Sequence, residues 1–171
     1  MKALVVYESM FGNSEAIARA IAEGLSDAGE VTLADVATMP STEGMDLLVV
    51  GAPTHAFSLS RPATREDAAR QASVRPGASA IGLREYLDVS PMLTGLAAAA
   101  FDTRINKPLL PGSAAHRAHR RLRRLGCRML APAESFHVAG TTGPLLDGET
   151  ERARQWATHL AATLTRQRHS V

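Results

Sequence analysis

The sequence is short of sulfur and of aromatic rings. Of its 171 residues one is cysteine, Cys127, and aromatic side chains make up 4%. A lone cysteine can form neither an internal disulfide nor a dithiol redox pair, which favours a reducing compartment. Long hydrophobic runs are missing too. The apolar stretch Ala3–Val6 is broken by Tyr7 and Glu8, too short for a signal-peptide core, and nothing approaches a membrane span. Neither sign of charge dominates: 19 Lys+Arg against 17 Asp+Glu leave a formal net charge of +2. Composition therefore forces neither nucleic acid nor membrane as a partner. No repeat, low-complexity tract or linker interrupts the chain. The expectation is one cytoplasmic domain over 1–171, long enough to bury a proper core.

What is present is an alternation of short apolar runs with helical periodicity, the mark of an α/β fold. Ala3–Tyr7 is continuously apolar, as a strand covered on both faces should be. A helix follows over about Asn13–Leu25, with Ile17, Ile21 and Leu25 on its buried stripe. An exposed edge strand is expected around Val31–Val36 and a second central strand over Asp46–Gly51. Two short helices follow, one starting near Thr64 with Thr64–Asp67 as a capping box, the other over about Ser79–Leu87. The turn Val74–Gly77 separates them. The next strand is expected over Leu96–Phe101. After the loop Lys107–Gly112, Ser113 suits the N-cap of a helix closed by Gly126. A last strand begins at Cys127–Leu130, breaks at Pro132 and resumes over Ser135–Val138. A final helix starts near Glu149. Five parallel strands joined by right-handed crossovers give a doubly wound sheet, for which the order 2-1-3-4-5 is expected.

That order places a ligand where the first, third and fourth strands end, so three loops become candidates. The first, Ser9, Met10, Phe11, Gly12, Asn13 and Ser14, feeds directly into a helix. Helix N-termini present unpaired N–H groups and partial positive charge, which suit a phosphate. Gly12 allows close backbone approach, and Ser9 and Ser14 offer hydroxyls. No Lys or Arg lies in the turn, so backbone dipoles must do most of the neutralising; a plain helix cap would look similar. The second loop holds Pro53, Thr54, His55, Ala56 and Phe57. Thr54 and the backbone can hydrogen-bond a flat polar ring edge, and Phe57 or His55 can cover a ring face. No acid–base partner accompanies His55 in the sequence, so it reads as a loop histidine rather than a catalytic one. The third candidate is Asp102, Thr103 and Arg104, where Asp102 also suits a cap and Arg104 a solvated charge.

Tyr7–Glu15 resembles the phosphate-binding signature of the flavodoxin family: a hydroxyl residue, two spacers, Gly, Asn and a hydroxyl residue. The resemblance implies a flavodoxin-like fold in which Ser9–Ser14 wrap the phosphate of FMN. The Pro-Thr loop likewise resembles the flavin loop of flavodoxins and flavodoxin-like quinone reductases, which implies that Pro53–Phe57 flank the isoalloxazine. Asp102–Arg104 match the position of a second flavin-contacting loop but not its residues. Phe11 stands where flavodoxins usually carry a second hydroxyl, and a Trp/Tyr sandwich around the ring is not expected. With Arg104 near the ring, the reduced flavin should be less destabilised than in a typical flavodoxin.

The other departure is a basic helix, Arg117–Arg124, carrying five arginines with His116 and His119. It reads either as a solvated face or as a docking surface for a redox partner protein or NAD(P)H. Metal binding by the two histidines lacks further converging ligands. The leading expectation is an FMN-binding electron-transfer protein. Two alternatives stand beside it: an FMN-dependent NAD(P)H quinone or flavin reductase, and a flavin-free binding or regulatory domain. Other uses of the architecture fail on residues. A receiver domain needs a phosphorylatable Asp where Gly51–Pro53 stand, and neither a P-loop nor a Gly-x-Gly-x-x-Gly turn is present.

Overall fold

The computed structural model describes residues 1–55, 58–73 and 80–169. Its strands are β1 (Lys2–Tyr7), β2 (Glu30–Asp35), β3 (Leu47–Pro53), β4 (Ala97–Ile105), β5 (Arg128–Met129) and β6 (Glu134–Val138). Its helices are α1 (Asn13–Ser26), α2 (Pro62–Gln71), α3 (Leu83–Val89), α4 (Ala114–Arg124) and α5 (Glu149–His169). The sheet runs β2-β1-β3-β4-β5, every pair parallel, with β6 also on β4. β5 pairs with Ala97–Ala98 and β6 with Phe101–Ile105, so the two short strands share one position, broken around Pro132. The expected doubly wound order is therefore the observed one.

Alternation along the central strands builds two cores, because successive side chains leave a strand on opposite faces. Ala3, Val5, Leu47 and Val49 pack under α1 and α5; Leu4, Val6, Leu48 and Val50 pack under α3 and α4. Strands buried on both faces need continuous apolar runs, and β1, β3 and the start of β4 supply them.

Four boundaries differ from expectation. β3 runs on to Pro53, so that residue belongs to the strand rather than to the second loop. β4 extends to Ile105, so Asp102, Thr103 and Arg104 are strand residues rather than a loop. Pairing with β6 carries the strand past its apolar part. α2 starts at Pro62, where the missing N–H costs nothing at a helix start. Thr64 then sits at the third helical position and its hydroxyl accepts from the Arg61 N–H at 2.8 Å. α3 runs over Leu83–Val89, later than expected. The turn expected at Val74–Gly77 lies outside the described residues.

Candidate functional site

β1, β3 and β4 end side by side, and a cleft of about 100 Å³ opens there. Its walls carry Ser9, Met10, Phe11, Asn13 and Ser14 from the β1–α1 turn, Pro53 at the end of β3, and Thr54 and His55 just after it. Thr103, Arg104 and Ile105 on β4, with Val138 and Thr141 beyond, complete it. Thus most candidates from all three sequence segments converge. Ala56 and Phe57 lie outside the described residues.

The turn opens α1 without a side-chain cap among the described residues. Gly12 sits at the N-cap with φ 93°. That left-handed conformation is costly for any residue with a Cβ. The Ser9 hydroxyl accepts from the Gly12 N–H at 3.1 Å, which folds the turn back on itself. Ser14 is buried, and its hydroxyl shares a 2.7 Å hydrogen bond with Thr103 across to β4. Asn13 donates to the Thr142 carbonyl at 3.1 Å, tying the turn to the loop after β6.

Asp102 is set apart from this cleft. Fully buried on the α4 side, its Oδ2 accepts from Thr54 Oγ1 at 2.8 Å, Ser113 Oγ at 2.6 Å and the Ala115 N–H at 3.0 Å. The carboxylate thus caps α4 and fixes Thr54, supporting the cleft from behind. Arg104 remains in the wall, with Nη2 donating to the Leu110 carbonyl at 2.7 Å. Burial first, and the Arg65 charge second, push the His55 imidazole below its ordinary value, which favours the neutral ring at pH 7. Its Nε2 is buried and has no hydrogen-bond partner among the described residues. Tyr86 and Trp156 stand elsewhere: the Tyr86 hydroxyl donates to the Pro40 carbonyl, and Trp156 meets Phe136 edge-on in the α5 layer.

Sequence reasoning missed a buried polar network that begins next to the β1–α1 turn. Glu8, adjoining Ser9, is buried and accepts from the Ser60 hydroxyl and, at 2.8 Å, from the Leu83 N–H. Arg65, fully buried on α2, donates to Ser60 Oγ at 2.8 Å and pairs with Glu85 at 3.2 Å. Burial raises the Glu8 carboxyl, while the two hydrogen bonds and Arg65 hold it back. Gly82 leaves room for this cluster: a Cβ there would lie 2.4 Å from Arg65 Nη1. The only sequence signal was a carboxylate directly following a central strand.

Fold and cleft together define a flavodoxin-like α/β fold with a pocket at the switch point of its sheet. The flavodoxin family model matches residues 5–75, which include the first two loops of the cleft. The fold is that of a flavodoxin from the domain Archaea, at 20% identity and TM-score 0.68, with 96% of this chain and 99% of that one covered. Oxidised flavodoxins 1 and 2 from Bacillus cereus align at 18% and 22% identity with TM-scores of 0.68 and 0.67. Each alignment covers 95% of this chain, and 98% and 99% of those chains respectively. A search of curated proteins finds no match.

Proposed function

We propose that this domain binds FMN at the strand-end cleft and serves as an electron carrier. The observation that carries the reading is the β1–α1 turn: an uncapped helix start, a left-handed Gly12 and a buried Ser14 hydroxyl, all at the ends of central strands. The donor set fits a phosphate monoester, because amides and hydroxyls meet its oxygens without a bulky cation. The family match over this same turn supports it.

When bound, FMN supplies a ring that accepts and returns electrons, and the chain's part is to hold it and tune its surroundings. Ser9–Ser14 bind the phosphate. Thr54 and the neutral His55 line the ring side of the cleft, the Thr54 hydroxyl being held by Asp102 and the Ala114 N–H, and Phe11 covers apolar surface. The Arg104 cation favours negative charge on the reduced ring. Accordingly, Arg104→Ala lowers the midpoint potential in a potentiometric titration.

An NAD(P)H-dependent reductase is the second reading, favoured by the many arginines around α4. The visible spectrum of freshly purified protein, followed by an FMN titration, tests the binding. Adding NADPH and a quinone then separates the roles. The carrier reading predicts a flavin spectrum with slow turnover; rapid turnover makes the chain an enzyme, and failure to take up FMN removes both.

A further inference from the structure

A second concave surface lies between the start of α2, α3 and α4. Six guanidiniums line a cavity of about 310 Å³: Arg61 just before α2, Arg84 on α3, and Arg117, Arg120, Arg121 and Arg124 on α4. The last four share a helix face by their three- and four-residue spacing. Arg84 is pinned, with Nε donating to the Ser60 carbonyl at 3.0 Å and Nη2 to that of Leu59 at 2.8 Å. Arg121 pairs with Asp88. Among the described residues the other five form no ion pair with an acidic side chain.

The cluster is electrostatically uncomfortable. Burial and neighbouring arginines lower the affinity of Arg84 and Arg121 for their protons, and the Glu85 carboxylate nearby offsets this only in part. A merely solvated face would let such charges spread apart, yet the backbone anchors of Arg84 hold it in the wall. Guanidinium forks matched to oxyanions relieve this crowding through charge-assisted, bidentate hydrogen bonds. Concavity argues for a small ligand, since the cores of protein–protein interfaces are depleted of charge.

We infer that this arginine cleft binds a small molecule carrying two or more phosphate groups, of the nucleoside diphosphate or dinucleotide class. Ser58 lines it, and Ser58 is bridged to His55, which lines the strand-end cleft; the paired N–H···O distances are 2.8 and 2.9 Å. The two clefts are thus joined through a hydrogen-bonded residue pair, which sets a nucleotide held on the arginines next to the other pocket. Its use as an electron donor there rests on the flavin reading; the anion site itself does not.

Inorganic pyrophosphate, titrated calorimetrically into the full chain without flavin, tests the site. Saturable one-to-one binding is expected, weakened at least about tenfold in the triple variant Arg117→Gln/Arg120→Gln/Arg124→Gln and strongly by added salt. These three side chains are exposed, so the fold should survive; if it does not, Arg61→Gln carries the test with a loss of roughly threefold. FMN uptake should be unchanged by either variant. No saturable heat, or equal affinity in the variants, overturns the proposal. So does retention on immobilised polyglutamate without pyrophosphate binding, which would make the cleft a protein-docking face.

Discussion

The β1–α1 turn holds no Lys or Arg between Ser9 and Ser14, whereas the cleft beside α4 gathers six arginines. Both surfaces suit anions, by opposite means. The turn relies on backbone dipoles fixed by the fold, at one left-handed glycine and an uncapped helix. The arginine cleft relies on long side chains from three separate segments. A backbone cradle is rigid and depends little on salt; a guanidinium cluster is adaptable, repels itself and is screened. One surface is written into local sequence, the other into tertiary packing.

The largest effect should come from the network under the first surface. Arg65→Ala removes a buried cation that pairs with Glu85 and holds the Ser60 hydroxyl against Glu8, and should cost about 3–5 kcal/mol in urea unfolding. It would also loosen the turn, because Glu8 adjoins Ser9; a loss below about 1 kcal/mol would mean that the network is not needed. Next comes Gly12→Val, which forces a β-branched residue to φ 93°. Strain of about 1–3 kcal/mol should appear as roughly ten- to hundredfold weaker FMN binding, with pyrophosphate binding unchanged.

Paired charges sharpen the contrast. Arg152 forms ion pairs with Glu134 and Glu149, and its guanidinium lies 4.4 Å from the Phe136 ring centroid. Burial tends to raise the Glu149 carboxyl, but hydrogen bonds from Arg152 and the His137 N–H outweigh it, leaving it below its ordinary 4.5. A depressed folded value means stability present above pH 4.5 and lost as pH falls through the folded value. Glu149→Gln should therefore cost about 1 kcal/mol at pH 7, and the difference from the parent should shrink below pH 4.5. Removing arginines that have no acidic partner among the described residues should do the reverse. Arg117→Gln/Arg120→Gln is expected to leave stability unchanged or raise it by less than about 0.5 kcal/mol; a clear loss would show that those charges have structural partners.

Much of the scaffold was legible because its signals are local. The continuous runs of β1 and β3, the Ser113 cap and the break at Pro132 each act through neighbours in sequence. The β1–α1 turn was legible for the same reason. β4 beyond Phe101 was not, since polar Asp102–Arg104 resemble a loop until β6 pairs with them. Asp102 becomes a helix support only when α4 docks. Arg65, on a helix of mostly polar residues, gives no sign that it is buried, and Arg61 and Arg84 stand far from the basic helix in sequence. Long-range placement decides all of these.

The central claim is that the amides and hydroxyls of Ser9–Ser14 hold a phosphate. Comparing FMN with riboflavin by calorimetry on the flavin-free protein tests it most directly, because the two ligands differ only in that group. One-to-one FMN binding roughly a hundredfold or more tighter than riboflavin is predicted, the worth of two charge-assisted hydrogen bonds. Equal affinities, or no binding of FMN, would contradict the account.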